Sequence, residues 1–70
     1  MAAKHHVNGP ESEYLNTREA AMYLNVSTQF LEIARHRRIG PPYCKVGRAV
    51  RYRRASLDEW MISNERSGSK

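Results

Sequence analysis

The sequence has few residues of the kinds that stabilise small extracellular or metal-dependent proteins. It contains one cysteine, Cys44, and three histidines among 70 residues. A single cysteine cannot form an internal disulfide bond, and His5, His6 and His36 have no spacing that would complete a zinc site with it. We therefore expect no structural metal and no cofactor, and we interpret Cys44 as an ordinary strand residue.

Long apolar runs are also missing. No stretch approaches the ~20 apolar residues of a transmembrane helix, and the start MAAKHHVNGPESE has no apolar segment of signal-peptide length. We therefore expect a cytoplasmic protein without membrane contact. Residues 1–13, interrupted by Asn8-Gly9-Pro10, are interpreted as a flexible leader and 64–70 as a flexible tail. Residues 14–63 then form one domain.

Signs of catalysis are absent as well. A domain of this size buries only roughly 60% of the surface that its unfolded chain exposes, which leaves little room for an enclosed active site. No residue pattern combines a nucleophile with a base and an orienting group, and Gly47 is an isolated turn glycine rather than part of a phosphate-binding loop. We predict that the protein is not an enzyme.

Acidic residues are absent from residues 35–54, and this absence is the most informative one. These twenty residues hold eight of the twelve lysines and arginines, and the other fifty hold all seven acidic residues. A polyanion that contacts such a local positive charge releases counterions, which makes nucleic acid, and double-stranded DNA above all, the predicted partner. The eight residues are Arg35, Arg37, Arg38, Lys45, Arg48, Arg51, Arg53 and Arg54.

Two helix signals stand next to each other in the first half of the domain. Asn16 and the glutamate three residues later predict a capping box and a helix over Thr17–Leu24. Asn25 tolerates the left-handed conformation that ends a helix, and Ser27 predicts the cap of a second helix from residue 28 to about residue 38. So short a connection makes the helices cross at a steep angle, which is the helix-turn-helix arrangement.

A hairpin is predicted after the second helix. Gly40-Pro41-Pro42 predicts the end of that helix, because neither proline can donate a backbone N–H. The β-forming residues at 43–46 and 49–52 flank Gly47-Arg48, which predicts two strands joined by a two-residue turn. We expect the positive charges along the hairpin to share one of its faces: Lys45, Arg51 and Arg53.

A third helix is predicted over residues 54–62. Leu57, Trp60 and Met61 recur at the spacing of a core stripe, and Trp60 is interpreted as a core anchor. The whole pattern predicts a small α+β fold, a winged helix-turn-helix with a two-stranded wing and a C-terminal helix.

Two strings, YLNTREAAMYLNVS and IGPPYCKVGRAVRYRRASLDEWM, stand on either side of the basic second helix. With this arrangement the chain resembles the small winged helix-turn-helix proteins of the excisionase and AlpA type, relatives of the MerR DNA-binding domain. Two positions depart from the pattern of these families. Ile33 stands where a polar or basic residue is usual, and Arg38 stands where a glycine often closes the helix.

The resemblance implies a recombination directionality factor. In such a role several copies bind repeated sites cooperatively and head to tail, bend the DNA, and direct a tyrosine or serine integrase toward excision of a mobile element or prophage. The alternative is an AlpA-like transcriptional regulator of a prophage or integrative element. An RNA-binding or protein-interaction module is a weaker hypothesis, because RNA recognition favours aromatic side chains on an open sheet.

The second helix is the predicted recognition helix, because a helix fits the major groove of DNA. Gln29 suits adenine, Glu32 suits the cytosine amino group and Arg35 suits guanine, with phosphate or solvent as the alternative for each. Arg37 and Arg38 are predicted phosphate contacts. The predicted DNA-binding residues of this helix are Ser27, Thr28, Gln29, Glu32, Ile33, Arg35, His36, Arg37 and Arg38.

The tip of the hairpin is the second predicted contact. Gly47-Arg48 can enter the minor groove, where narrow A·T-rich stretches attract arginine. The predicted wing contacts are Lys45, Gly47, Arg48, Arg51 and Arg53.

Ile33, on the second helix, has two interpretations of equal weight. It contacts a thymine methyl group, or it packs against a neighbouring copy of the chain.

Overall fold

The structure is a computed structural model that describes residues 13–67. These residues form a small α+β winged helix-turn-helix. The elements, in chain order, are β1 (Tyr14–Leu15), α1 (Thr17–Leu24), α2 (Thr28–Arg37), β2 (Cys44–Val46), β3 (Ala49–Arg53) and α3 (Arg54–Ser63). The predicted leader, apart from its last residue, and the last three residues of the predicted tail lie outside the described residues.

Helix α1 begins at the predicted capping box. The backbone N–H of Glu19 donates to Asn16 Oδ1 over 2.8 Å, and the backbone N–H of Asn16 donates to Glu19 Oε1 over 2.9 Å. This reciprocal pair provides partners for two backbone N–H groups at the start of the helix. Both residues of the prediction are confirmed.

Three residues form the turn between α1 and α2. Asn25 has a φ of 61°, and the N–H of Val26 donates to the carbonyl of Ala21 over 2.9 Å, a pattern typical of a Schellman helix end. Val26 packs against the core. Ser27 Oγ accepts the N–H of Phe30 over 2.9 Å and begins α2. The predicted short turn with a left-handed asparagine is therefore confirmed.

Helix α2 ends at Arg37, earlier than the Gly-Pro-Pro segment that predicts its end. Arg38 itself closes the helix with a φ of 60°, and the N–H of Ile39 donates to the carbonyl of Ala34 over 3.0 Å. The helix thus stops through a second Schellman-type end and not through the missing N–H of a proline. Gly40 follows, and a Cβ at this position would lie 2.8 Å from Ala34 Cβ.

The sheet contains three antiparallel strands in the order β1-β3-β2, one more than the sequence predicts. Strand β1 is only two residues long, so its sequence has no alternating pattern to reveal it. It places Leu15 opposite Tyr52. The N–H of Arg54 also donates to the carbonyl of Glu13 over 3.1 Å, which connects the start of α3 to the residue that precedes β1.

The wing, defined as β2, β3 and the turn residues Gly47 and Arg48, has its charges on two faces. Lys45 lies opposite Val50 in the register of the hairpin. Opposite residues share a face and successive residues alternate, so Lys45 shares the face of Val50, while Arg51 and Arg53 lie on the other face. The prediction that all three charges share one face is wrong. A two-residue turn pairs each odd-numbered residue of β2 with an even-numbered residue of β3.

The core lies between the helices and one face of the sheet, and it is small. Leu57 on α3 is fully buried and Trp60 packs against the core. Met61, however, is 44% exposed, so its predicted place in the core stripe is wrong. A helix that packs on so small a core buries only a narrow stripe, and Met61 falls at the edge of it. The core side chains are Leu15, Ala20, Ala21, Leu24, Leu31, Tyr52 and Leu57.

Candidate nucleic-acid interface

Helix α2 presents an exposed, mostly polar face away from the core. Leu31 and Ala34 are buried against the rest of the domain, as their spacing predicts. On the opposite side Gln29, Ile33 and His36 follow one another at intervals of four and three residues, and all three are exposed. A helix that enters the major groove reads base edges with such an outward row of side chains.

The predicted recognition residues lie on this exposed surface, with one exception, Arg35. Their contacts with DNA stay a prediction, and their exposed positions permit such contacts. The exposed ones are Ser27, Thr28, Gln29, Glu32, Ile33, His36, Arg37 and Arg38.

One flank of α2 is apolar. Ile33 is 46% exposed and lines a shallow depression with Glu32, His36 and Arg37. Phe30, one helical turn earlier, is 42% exposed. It is not among the predicted contacts, although its three-residue spacing from Ile33 is a readable signal. The flank suits a thymine methyl group or a neighbouring copy of the chain, so both interpretations of Ile33 stay open.

Arg35 is turned toward the domain rather than away from it. Its Nη1 donates to the hydroxyl of Tyr52 over 2.9 Å and to Thr17 Oγ1 over 3.4 Å. Its Cζ lies 5.7 Å from the centre of the Tyr43 ring. We call these four residues the Arg35 cluster. Thr17 lies in α1, Tyr52 in β3, and Tyr43 directly before β2. No local sequence pattern connects positions so far apart.

The tip of the wing is open to its surroundings. Gly47 has a φ of 61°, and a Cβ on it would meet no atom within 4 Å. Arg48 is exposed beside it. Val46, on the other side, is 66% exposed and is not among the predicted contacts. A narrow tip in open space is the shape that enters a minor groove.

The basic side chains of the wing point in two directions. Lys45 shares a face with Tyr52, which contacts Arg35 of α2. Arg51 and Arg53 lie on the opposite face, and Arg51 Nη1 donates to the carbonyl of the preceding residue over 2.8 Å. Only Lys45 among these three is therefore on the side of the wing that faces the recognition helix.

Arg54 contributes to the packing of the domain. Its Cζ lies 5.2 Å from the centre of the Tyr23 ring, and the Tyr23 hydroxyl donates to Asp58 Oδ1 over 2.7 Å. These contacts connect α1 with α3 through a cation–π pair and a hydrogen bond. The basic segment thus divides into charges on exposed probes and charges held in internal contacts, the latter being Arg35, Arg51 and Arg54.

Within residues 13–67 no helix is long and apolar enough to cross a bilayer. No group of three His, Cys, Asp or Glu side chains in this range is arranged to hold a metal ion. Cys44 is exposed on β2 as a free thiol, and its position confirms that it is a strand residue.

The fold, with an exposed helix α2 beside a basic wing, defines a winged helix-turn-helix protein, a class whose members typically bind DNA. The family model described as the helix-turn-helix domain matches residues 14–65. The chain therefore belongs to the helix-turn-helix domain family. No curated protein matches it at a significant level.

Proposed function

We propose that the protein is a sequence-specific DNA-binding protein of the excisionase type, a recombination directionality factor. Helix α2 reads the major groove, and Gly47 and Arg48 enter the adjacent minor groove. One observation carries this proposal: two exposed probes, α2 and the wing tip, stand on one small domain, and the segment that joins them, residues 38–46, carries positive charge and no acidic residue.

Several copies acting together are part of the proposal. A single module of this kind buries about 600–1,000 Å² on DNA and therefore binds one site modestly. Cooperative, head-to-tail binding to repeated sites raises the affinity, and the apolar flank with Phe30 and Ile33 offers a surface for contact between copies. The bent DNA is then presented to a tyrosine or serine integrase. Strand cleavage and rejoining belong to that enzyme, since we assign no catalytic step to this protein.

A salt titration tests the DNA-binding part of the proposal. If about four to six phosphates are neutralised, the affinity for a duplex should fall by about two to three orders of magnitude between roughly 50 and 200 mM salt. Fluorescence anisotropy with a labelled duplex measures this, and a scrambled duplex serves as competitor. An affinity that does not change with salt would contradict DNA binding through the basic segment.

Footprinting and gel mobility test the architectural part. We expect DNase protection that spreads over repeated sites in the attachment region of the element that encodes the protein, together with retarded mobility of permuted, bent fragments. Protection of one half-site with no bending would contradict the excisionase role. Preference for the promoter of the element over its attachment region would instead favour the alternative, an AlpA-like transcriptional regulator.

A further inference from the structure

Helix α2 and the wing have little direct packing between them. Among residues 13–67, α2 packs mainly against α1, while the strands of the wing pack against each other and β3 packs against α1 and α3. All three residues of β2 are exposed. Among the described residues the wing is therefore joined to α2 indirectly, through the packing of β3 on α1, and by the side chains that span the space between the wing and α2.

The Arg35 cluster spans that space. Arg35 lies on α2, and its Nη1 donates to the Tyr52 hydroxyl over 2.9 Å. Tyr52 is 1% exposed and Arg35 is half-buried, so this hydrogen bond is partly shielded from water and is worth more than a fully exposed contact. Hydrogen bonds with one charged partner are also stronger than neutral ones.

Tyr43 extends the same contact to the residue before β2. Its ring centre lies 6.1 Å from that of Tyr52, at an interplanar angle of 53°, and 5.7 Å from Arg35 Cζ. Both distances fall within the range of attractive aromatic and cation–π contacts. The guanidinium of Arg35 thus contacts Tyr43, just before β2, and Tyr52, near the end of β3. Both residues lie at the base of the wing, away from its tip.

We propose that Arg35 is a positioning residue, which holds the wing at a fixed offset from α2 so that both grooves of the DNA are contacted at once. This role rests on the proposed DNA-binding function and takes the place of base reading by Arg35. A probe that is held in its bound geometry before binding loses less entropy on the DNA, so the cluster should raise affinity without a contact of its own.

Tyr52→Phe tests the role, because it removes one hydroxyl group and keeps both the ring and every positive charge. We expect this variant to bind a specific duplex about fivefold to tenfold more weakly than the wild type, the effect of one lost hydrogen bond. Tyr23→Phe is the matched control. It removes the hydrogen bond to Asp58, which involves no residue of α2 or of the wing, and should leave the affinity unchanged. Circular dichroism checks that both variants are folded at the assay temperature.

A double-mutant cycle separates positioning from a loss of stability. Once Arg48→Ala has removed the contact at the tip, a misplaced wing matters less, so Tyr52→Phe should weaken binding less in that background. Thr17→Val removes the longer hydrogen bond of Arg35 and should weaken binding to a smaller degree. It provides a second test if Tyr52→Phe does not fold.

The possible results are distinguishable. Wild-type affinity of Tyr52→Phe, beside weak binding by Arg35→Gln, would overturn the positioning role and assign Arg35 to direct DNA contact, with the proposed function intact. Additive effects of Tyr52→Phe and Arg48→Ala would overturn it as well. Absence of DNA binding by the wild-type protein would overturn the proposed function itself.

Discussion

Gly40 and Ala34 approach each other so closely that a side chain on Gly40 has no room. A Cβ at Gly40 would lie 2.8 Å from Ala34 Cβ, and Ala34 is buried on the inner side of α2. The chain leaves the recognition helix through this narrow contact and runs on to the wing. The contact therefore helps to determine where the wing begins.

We predict that Gly40→Ala destabilises the domain by about 1–3 kcal/mol, because the added methyl group overpacks a site that cannot easily relax. In a domain of this size that loss lowers the melting temperature by roughly 4–8 °C per kcal/mol. Thermal denaturation followed by circular dichroism measures it.

The double variant Gly40→Ala with Ala34→Gly provides the control. Removal of the Ala34 methyl group relieves the overlap, so the two changes should be less destabilising together than their sum. Gly47→Ala is the comparison, since it is strained by its φ of 61° and meets no atom. Ala34→Gly should not rescue it. Strict additivity in the first pair would contradict the close contact.

Arg38→Gly is predicted to stabilise the protein while it weakens DNA binding. Arg38 closes α2 with a φ of 60°, a conformation that costs an L-residue about 1–2 kcal/mol and costs glycine little. The variant also loses a positive charge at the end of the helix, which offsets a few tenths of a kcal/mol. Chemical denaturation and anisotropy measure the two effects separately.

Arg38→Ala is the matched control for that experiment. It loses the same charge and keeps a Cβ, so it should be no more stable than the wild type. Both variants should bind DNA with a smaller salt slope if Arg38 contacts phosphate. Equal stability of the glycine and alanine variants would contradict strain at this position.

Local signals account for the parts of the fold that the sequence predicts well. Asn16, Asn25 and Ser27 each act within three or four residues, and the two helices they bound end and begin where expected. Strand β1 and the Arg35 cluster escape prediction because their partners are distant. Arg35 and Tyr52 are 17 residues apart, and their meeting depends on the packing of the whole domain.

The residues of the candidate DNA interface also divide into those predictable from local spacing and those that depend on tertiary packing. Exposure of the polar side of α2 follows from helical spacing, so the row through Gln29 and His36 is predictable. The register of the wing follows from the two-residue turn that the sequence predicts, so the grouping of Lys45 with Arg51 is an error of inference and could have been avoided from the sequence. Which arginines are held inside the domain is, by contrast, a tertiary property.

Arg54→Gln is predicted to leave DNA binding unchanged, although Arg54 belongs to the basic segment. Its guanidinium lies over the Tyr23 ring, so the change should cost about 0.5–1 kcal/mol of stability through the lost cation–π contact. Arg37→Gln, on the exposed end of α2, is the control and should reduce the salt slope by about 1. A reduced slope for Arg54→Gln would show that this charge contacts DNA after all.

Lys45→Ala is predicted to weaken DNA binding more than Arg53→Ala. Lys45 lies on the same face of the wing as Tyr52, and this face is the one turned toward α2. Arg53 lies on the opposite face. Each variant removes one positive charge from the same hairpin, so the pair is matched in net charge. Anisotropy at one fixed salt concentration compares them. A larger loss for Arg53→Ala would place the DNA on the other side of the wing.

Arg48→Ala is predicted to weaken DNA binding about tenfold, because the tip loses its minor-groove contact. The melting temperature should not change, since the Arg48 side chain is exposed. Arg66→Ala removes an equal charge beyond the end of α3 and serves as control.

Altered duplexes test minor-groove recognition by the wing tip directly. Replacing A·T by G·C pairs under the wing adds the guanine amino group to the minor groove, whereas replacing them by inosine·cytosine pairs does not. The wild type should discriminate against the first duplex only, and Arg48→Ala should bind both alike. Retained discrimination by Arg48→Ala would remove the wing tip from minor-groove recognition.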